Sequence, residues 1–591
     1  MKDYGSFELH LLDYLAFGAY FAGLCLIGYW FGRKKQQDSA DYFLAGRTLP
    51  WYVVGSSFIA SNISSEHFIG MIGAAFIYGI APAMFEWANV ATFSLLIWFF
   101  IPFLLAAKVF STPEFLEKRF NPTIRQFFAY VTVISNVVAF LAAVLYGGGL
   151  ALNKLFGWEL WFAIAALAVV SGGWAVYGGL RSVAWMDVLT VIIMIAGGLM
   201  VTILGLYMLS GESHSLVEGV KVMLVRNQAN DGVWAEVVRQ NAPHIVRADH
   251  YNRLSVIQPI THELTPWPGL IMMIFSVSIW YNVINQFMIQ RVLGARDMYH
   301  ARMGIVLAGY MKIILPAIVV LPGLILFAKY PDVMKLPWDQ IRPEADKGYV
   351  SMLQSIVPIG LRGLFLAALF GAIQSTVSAV LNSTSTIITV DIYKRTLRRD
   401  ASERQLVLVG RLSSVVVMVI AAVLGAFIGR LTGSLFLYIQ SLYAFFAPPF
   451  AAVFLLGILF RRINGQGATV AVISGFVLGI LLKVYVQLDQ SHPAWLEPLW
   501  QYIPAHPAWL EPFQMQAAIN WVFCVIVCTG VSLLAPRPDP SQVTDELTIN
   551  WRKLNIFGQL GTHWYTSVYL WWSLFAAIVT ALVLVFSGLV W

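Results

Sequence analysis

The sequence has 591 residues, of which 59% are apolar and only 12% are charged, and its mean hydropathy is +0.71. Soluble proteins are about 45–50% apolar and about 25% charged, so this composition excludes a soluble enzyme or a soluble nucleic-acid-binding protein. The net charge of +7 is what basic, topology-setting loops of a membrane protein would produce, and we expect no nucleic-acid partner.

Apolar runs long enough to cross a bilayer recur along the whole chain. Their lengths are near the roughly 20 residues that a spanning helix needs, and they predict an all-α, polytopic membrane protein with about fourteen transmembrane helices surrounded by membrane lipid. The predicted spans lie near residues 11–32, 51–80, 83–107, 124–151, 159–178, 184–210, 267–290, 300–328, 355–391, 407–430, 434–460, 467–486, 514–535 and 565–590.

Every second predicted loop is basic, for example those that hold Arg33, Arg181 and Arg461, whereas the short loops 79–83 and 151–158 carry only Lys154. The positive-inside rule then places the basic loops in the cytoplasm and both termini outside. The two N-x-S/T sequons lie inside predicted spans, so no sequon marks an outer loop. This pattern favours a multi-pass protein of a bacterial inner (plasma) membrane.

The span 51–80 carries a cluster of polar residues at its centre, which comprises Ser61, Asn62, Ser64, Ser65, Glu66 and His67. The middle of a bilayer offers no water to satisfy such groups. A segment of this kind is typical of a broken helix whose backbone and side chains face an ion or a solute. We therefore expect a transport site here.

Two further spans carry clusters of polar residues. Residues 276–291 contain Tyr281, Asn282, Asn285 and Gln286, and residues 371–389 are rich in serine and threonine, whose oxygens suit a hard cation. The interrupted segments 51–80 and 267–290 are five spans apart, as expected for an inverted five-helix repeat with its site at the midplane. Ser/Thr-rich stretches also pack helices together, which is the alternative interpretation of residues 371–389.

Ionisable side chains inside spans are costly and are candidates for function. Glu86 and Lys312 fit this description, with a structural ion pair as the alternative. Asp187 is close enough to a predicted helix end to be a helix cap instead. Gln440 could equally form a helix-to-helix hydrogen bond.

Ordered motifs along most of the chain resemble the sodium/solute symporter family, and within it the sodium/glucose (galactose) cotransporter branch. These motifs are DYFLAGRTLPW at 41–51, ASNISSEHFIGM at 60–71, PEFLEKRF at 113–120, YGGLRSVAWMD at 177–187, NQFMIQR at 285–291, LNSTSTIITVDIYKR at 381–395 and FAPPFAAVFLLGILFRRINGQG at 446–467.

The resemblance implies a leucine-transporter-like fold, in which a five-helix inverted repeat has one extra helix before it and three after it. The implied divisions are residues 1–50 for the extra N-terminal helix and first cytoplasmic loop, 51–210 for the first repeat, 211–266 for an extracellular loop, 267–461 for the second repeat with its outer loop 329–354, and 462–591 for the C-terminal helices.

The resemblance also implies a site for Na⁺, the coupling ion. The carbonyls of Ala60, Ile63 and Ala372 and the hydroxyls of Ser375 and Thr376 would form the main sodium site. A second sodium site would use Asp187 and Ser378, but Ala379 stands where the family pattern has another hydroxyl ligand. The resemblance therefore leaves the number of sodium ions open.

A sugar is the implied solute, bound and gated by side chains from several spans. The implied substrate-binding residues are Asn62, His67, Glu86, Asn89, Tyr281, Lys312 and Gln440. Tyr281 would also serve as an inner gate, with Met71, Phe85 and Phe436 as an outer lid. Asn282 and Ser278 depart from the branch pattern and weaken the assignment of a particular hexose.

We therefore expect a sodium-coupled symporter that imports a hexose such as glucose or galactose by alternating access. The alternatives are a sodium symporter for another polar solute, such as a polyol, sialic acid, an amino acid or a vitamin, and a solute sensor that does not transport. Sensing is disfavoured because no signalling sequence follows residue 590. We expect no enzymatic activity, since only His67 among ten histidines lies deep in a span and no HExxH-type pair occurs.

Overall fold

A computed structural model describes most of the chain. The described residues are 9–33, 38–107, 109–228, 252–260, 262–337, 340–341, 344–345, 357–428, 435–490, 503–553 and 556–589, except for the side chains at positions 69, 154, 428, 435–438 and 490.

The described part of the chain is helical, with twelve helices long and apolar enough to cross a membrane. In chain order, and with the two shorter helices α2 and α3 included, they are α1 (Leu11–Gly32), α2 (Trp51–Asn62), α3 (Glu66–Tyr78), α4 (Ala81–Ala106), α5 (Pro122–Asn153), α6 (Leu160–Leu209), α7 (Trp267–Ile284), α8 (Met298–Lys329), α9 (Arg362–Leu397), α10 (Glu403–Phe427), α11 (Ile439–Leu459), α12 (Gly465–Asp489), α13 (Phe513–Leu534) and α14 (Val568–Val585). The prediction of an all-α, multi-pass membrane protein is confirmed.

The predicted break in the span 51–80 occurs between α2 and α3. Ile63 leaves the helical conformation with φ −88° and ψ 122°, and α3 then begins with a π-helical turn at Glu66–Met71. The amide of Ser64 donates to His67 Nδ1 at 3.3 Å instead of continuing the helix. The last carbonyls of α2 therefore lose their helical partners and become available to other groups.

The second interruption predicted in the sequence occurs at the end of α7. Two π-helical turns, Ile274–Ser278 and Trp280–Ile284, are followed by extended backbone at Asn285, and a new helix then runs over Gln286–Leu293. The Asn285 side chain caps this helix by accepting the amide proton of Phe287 at 3.3 Å. The backbone of α7 is thus irregular beside the break between α2 and α3.

Helix α6 has 50 residues and consists of two helical segments that meet at Gly179, which correspond to the two spans predicted at 159–178 and 184–210. At about 1.5 Å per residue it is far longer than one bilayer crossing needs. Gly179 interrupts it with φ 56° and ψ −155°, a backbone conformation that side chains disfavour. A Cβ at this position would also lie 2.3 Å from the Tyr42 carbonyl oxygen.

We expect Gly179→Ala to lower the free energy of unfolding by about 1–3 kcal/mol, because alanine cannot adopt this conformation without strain. Thermal melting of the purified protein in detergent measures the change. Gly173→Ala is the matched control on the same helix, since a Cβ there meets no atom within 4 Å. Equal melting temperatures for the two variants would contradict the prediction.

Loops that join neighbouring helices meet at one end of the bundle. The amide of Ser39 donates to Glu403 Oε2 at 2.9 Å, and the amide of Arg296 donates to the Leu49 carbonyl at 3.0 Å. The side chain of Arg119 donates to the Gly457 carbonyl at 2.7 Å. The basic loops predicted to share one side of the membrane therefore contact one another.

A buried ion pair lies at the same end of the bundle. Arg125 at the start of α5 donates to Asp391 in α9 through Nη2 at 2.7 Å and through Nε at 3.0 Å, and it also contacts Glu117. Arg395 donates to the other oxygen of Glu117 at 2.7 Å. Burial alone would raise the pKa of Glu117, but the hydrogen bonds from Arg395 and Arg125 lower it.

The carboxyl end of α3, away from the helix break, contacts the part of the chain that precedes α7. The buried guanidinium of Arg253 donates to the carbonyls of Ile77 at 2.6 Å and Phe76 at 2.8 Å and lies 3.5 Å from the centre of the Phe327 ring. Tyr78 donates to Glu263 at 2.7 Å. A cation thus satisfies the carbonyls at the end of α3, where the helix dipole is negative.

Candidate functional site

A polar cavity lies beside the break between α2 and α3. It encloses about 500 Å³ of space free of protein atoms, including the part open to solvent. Side chains from α2, α3, α4, α7, α8 and α11 line it. They are Asn62, Glu66, His67, Met71, Phe85, Glu86, Asn89, Met273, Val277, Ser278, Tyr281, Asn282, Lys312, Gln440 and Tyr443.

A charged network forms the centre of this cavity. The Lys312 ammonium donates to Glu86 Oε2 and to Asn62 Oδ1. His67 Nε2 lies 3.4 Å from Glu86 Oε1, so both oxygens of the carboxylate have a partner. Glu86 and Lys312 are each only 3% exposed, and a buried pair of charges is tolerated only when its members are paired and hydrogen-bonded.

Amide side chains form the adjoining wall. Asn282 donates to Asn89 Oδ1 at 2.7 Å and to the Ser278 carbonyl at 3.0 Å. Asn89 in turn donates to the Phe85 carbonyl at 2.7 Å. Asn282, the departure from the family pattern, thus bridges α7 and α4 through a residue predicted to bind the solute.

Glu66 is the cavity residue whose role the sequence left open. Its Oε1 accepts a hydrogen bond from Gln440 Nε2 at 3.1 Å, which joins α3 to α11 across the cavity. Gln440 therefore lines the cavity and also forms the helix-to-helix bond considered as its alternative role. The signal for Glu66 was its position in the central polar cluster of the span 51–80.

Aromatic rings form one side of the cavity. The ring of Tyr281 lies 6.3 Å from that of Phe140, with an angle of 28° between the planes, and 5.7 Å from that of Tyr443. Met71 and Phe85 line the cavity, while the side chain of Phe436, the third predicted lid residue, lies outside the described part of the structure. Sequence reasoning did not identify Met273, Val277 or Tyr443, because apolar and aromatic residues are common in any span.

Two predicted ligands of the main sodium site, Ile63 and Thr376, meet where α9 contacts the end of α2. Thr376 Oγ1 lies 3.0 Å from the Ile63 carbonyl oxygen and 3.3 Å from that of Ser61. The helix break deprives the Ala60 carbonyl of its usual partner, the Ser64 amide, which binds His67. Backbone and hydroxyl oxygens freed in this way are the ligands that a hard cation prefers.

Ser375 lies on α9 beside Asp187. Its buried hydroxyl oxygen makes no hydrogen bond of normal geometry within the described part of the chain, although it neighbours the Asp187 carboxylate. An unbonded buried hydroxyl is costly, so Ser375 is suited to an additional partner such as a cation. Ala372 precedes it by one turn on the buried face of the same helix.

Asp187 lies inside α6 and does not cap a helix end, which corrects that alternative. Its Oδ2 accepts from Ser57 Oγ at 2.6 Å, and Arg291 Nε donates to the same hydroxyl at 3.1 Å. Ser378, the other residue predicted for a second sodium site, donates to the Ser171 carbonyl at 2.6 Å. Asp187 and Ser378 therefore have separate hydrogen-bond partners.

The structure thus brings all seven predicted substrate-binding residues into one cavity, and it brings Thr376, a predicted sodium ligand, to the Ile63 carbonyl at the adjoining helix break. Asn62 belongs to the cavity, and the next residue, Ile63, presents its carbonyl to α9. This geometry allows two ligands to contact consecutive residues of one interrupted helix.

A solved structure supports the assignment of the fold. A Na⁺-coupled sialic acid symporter in its substrate-bound, outward-open state superposes with a TM-score of 0.68 at 22% sequence identity. The match covers 90% of this chain and 99% of that chain. This protein therefore shares the overall fold of that symporter.

Sequence comparisons identify transporters as relatives. The chain is 34% identical over 489 residues to a sodium/glucose cotransporter of Vibrio parahaemolyticus, a match that covers 80% of this chain and 86% of the relative. It is 31% identical over 567 residues to a sodium/myo-inositol cotransporter of Mus musculus, covering 92% of this chain and 76% of the relative. The model of the sodium:solute symporter family matches residues 42–475. The chain therefore belongs to the sodium:solute symporter family, and it is a transporter with Na⁺ as its coupling ion rather than an enzyme.

Proposed function

We propose that this protein imports a neutral, polyhydroxylated solute, a hexose such as glucose or galactose, together with sodium by alternating access. The observation that carries the proposal is the charged network in the cavity. Lys312 is the only lysine or arginine among the described cavity residues, and its ammonium is already bonded to Glu86 and Asn62. An acidic solute would find no unpaired ammonium there.

The polar groups of the cavity taken together suit a solute with several hydroxyls. Glu66 and Glu86 accept hydrogen bonds, Lys312 donates them, and the amides of Asn62, Asn89 and Gln440 can do both. Each sugar hydroxyl donates one hydrogen bond and accepts others, so mixed donors and acceptors around one cavity can pair with several hydroxyls at once. Tyr281 offers an aromatic face to the apolar side of a sugar ring.

The names of the relatives agree with this chemistry. Glucose and myo-inositol, the solutes named for two relatives at 31–34% identity, are both neutral and polyhydroxylated. A cyclic polyol is therefore the second candidate solute. The structural feature that supports this candidate is the hydrogen bond from Asn282, a departure from the sugar-branch pattern, to the predicted solute ligand Asn89. Sialic acid, an amino acid or another ionised solute is disfavoured by the paired state of Lys312.

The interrupted helix provides a route for coupling. We propose that sodium at Ala60, Ile63, Ala372, Ser375 and Thr376 holds α2 against α9 and favours the outward-open state, in which the solute binds better. Solute binding then closes the lid formed by Met71, Phe85 and Phe436, and release occurs past Tyr281. Coupling requires each ligand to prefer one state, since equal affinity would shift nothing. The membrane potential adds about 2.3 kcal/mol per charge per 100 mV.

We propose that one sodium ion accompanies each solute. Asp187 is engaged by Ser57 and has Arg291 close by, so a positive charge already neighbours it. Ser378 is bonded to Ser171, and Ala379 contributes no oxygen. The positive charge of Arg291 and the missing side-chain oxygen at Ala379 both disfavour a second sodium at Asp187 and Ser378. Measured sodium-to-solute flux ratios of two would contradict this part of the proposal.

We propose a topology of fourteen membrane crossings. In this proposal the two segments of α6 each cross the membrane, α2 and α3 together cross it once, and each of the other long helices crosses it once. We propose that residues 51–210 and 267–461 form inverted repeats, and that both termini face the outside of a bacterial inner membrane. Protease or thiol accessibility at each terminus in oriented vesicles tests the orientation.

The test of function is uptake into proteoliposomes. Labelled glucose, galactose, myo-inositol and sialic acid are compared with an inward sodium gradient and with choline in place of sodium. We expect sodium-dependent accumulation of at least one neutral solute and none of sialic acid. Accumulation without sodium, or of sialic acid alone, would refute the proposal. Counterflow of labelled solute in the absence of a gradient distinguishes transport from sensing.

We expect Thr376→Val to raise the sodium concentration for half-maximal uptake about tenfold or more, since loss of one buried polar contact costs about 1–3 kcal/mol. Valine keeps the shape of threonine but cannot bind a cation. Ser385→Ala is the matched control, because Ser385 donates to the Asn382 carbonyl within the same helix. An unchanged sodium requirement in Thr376→Val would remove this residue from the sodium site.

A further inference from the structure

Helix α9 begins without a cap of its own. Leu361 occupies the N-cap position and makes no side-chain hydrogen bond to the first turn. The first amide groups of a helix have no partner within the helix, and in a membrane protein buried amides must be satisfied by protein groups. A partner from elsewhere in the chain is therefore required.

Asp13 of α1 supplies that partner. Its carboxylate is fully buried, and Oδ1 accepts the amide protons of Gly360 and Gly363, both at 2.9 Å. Its other oxygen accepts from the His10 amide at 3.0 Å. One carboxylate thus caps the starts of α1 and α9, and its negative charge lies at the positive end of both helix dipoles.

The contact continues along α9 towards the predicted sodium ligands. Phe17 packs edge-on against Phe370 with ring centres 5.7 Å apart. The Tyr20 hydroxyl lies over Gly371, where a Cβ would meet it at 2.4 Å, and it is 3.2 Å from Thr190 Oγ1. Gly371 directly precedes Ala372. The α1 face therefore reaches from the capped end of α9 to the edge of the sodium site.

We propose that α1 positions α9 for sodium binding, with Asp13 as the positioning residue that sets where α9 begins. The inference rests on the proposed sodium role of α9. Thr376 can approach the Ile63 and Ser61 carbonyls only if α9 keeps its height and rotation relative to α2, and ligand sites tolerate errors of only about 0.5 Å. Asp13 acts through α9 and touches neither sodium nor solute.

The test compares sodium and solute dependence of uptake in Asp13→Asn. Asparagine keeps one acceptor oxygen but loses the charge and presents an NH₂ group to the His10 amide. We expect the half-saturating sodium concentration to rise about fivefold, as loss of a charge at a helix start weakens the capped geometry. The half-saturating solute concentration, measured at saturating sodium, should change less than about twofold. A purely structural role would lower the amount of active protein without this separation.

Gly363→Ala is the second variant, in case Asp13→Asn is not recovered folded. A Cβ at Gly363 would lie 2.0 Å from the Asp13 carbonyl oxygen and would push α1 and α9 apart, with the same expected sodium effect. Gly18→Ala on α1 is the control, because its Cβ meets no atom within 4 Å.

An unchanged sodium dependence in either folded variant, or equal shifts for sodium and solute, would overturn the inference while the proposed function stands. A wild-type protein that needs no sodium would refute both.

Discussion

Replacement of Lys312 by methionine is expected to reduce sodium-driven solute uptake about 100-fold or more, because truncation of one partner of a buried charge pair weakens binding by about 2–5 kcal/mol. Lys312 donates to both Glu86 and Asn62, and its loss leaves the buried Glu86 carboxylate with His67 alone. The cavity then has a larger negative charge and one fewer donor for solute hydroxyls. Initial rates of uptake into proteoliposomes measure the effect.

A second substitution separates folding from solute binding. Lys312→Met alone should also lower the melting temperature, because Glu86 keeps an unpaired charge. Glu86→Gln combined with Lys312→Met removes both charges, so we expect this double variant to melt near the wild-type temperature but to remain defective in uptake. Lys483→Met is the matched control, since Lys483 lies in α12, outside the cavity, and donates to Ser441 at 3.3 Å. Wild-type uptake by folded Lys312→Met would show that the charged network does not bind the solute.

Replacement of Arg125 by methionine is expected to lower the free energy of unfolding by about 3–5 kcal/mol, because it leaves the buried carboxylate of Asp391 without its cation. The Asp391 side chain is fully buried and the Arg125 side chain is 9% exposed, so solvent cannot replace the lost partner. Ser111 still donates to Asp391 at 2.9 Å, but a hydroxyl supplies no charge. Thermal melting in detergent reports the loss.

The double variant Arg125→Met with Asp391→Asn should melt much closer to the wild type, since no unpaired charge remains. Arg395→Met, at the more exposed pair with Glu117, should cost no more than about 1 kcal/mol. If the single and double variants melted at the same temperature, Asp391 would not depend on Arg125 for its charge.

Local sequence patterns were sufficient to predict the interruptions of the membrane helices. The polar cluster around Asn62 and the run after Tyr281 predicted breaks, and the structure places them at Ile63 and Asn285. These predictions succeed because an unsatisfied polar group in a bilayer is costly wherever it occurs, so a short stretch carries the signal. The two predicted spans at 159–178 and 184–210 correspond to the two segments of α6, which meet at the non-helical backbone of Gly179.

The residues that would contact a solute were named through family resemblance, whereas their pairing needed the structure. Glu66 shows what the sequence could not predict. Its position in the polar cluster was evident, but its hydrogen bond with Gln440 joins residues 374 positions apart. The second sodium site also depends on pairing that the sequence does not reveal. Asp187 and Ser378 both occur in suitable motifs, but Asp187 accepts a hydrogen bond from Ser57 and Ser378 donates one to the Ser171 carbonyl.

The sequence by itself determined that this chain crosses a membrane many times, where its helices break and which polar residues lie within them, because hydropathy and the cost of buried polar groups act over a few consecutive residues. Only the tertiary structure decided that Lys312 neutralises Glu86, that Thr376 faces the carbonyls freed at Ile63, and that Asp13 caps α9. Such pairings join residues hundreds of positions apart, and they form only when the packed helices bring those side chains within hydrogen-bonding distance.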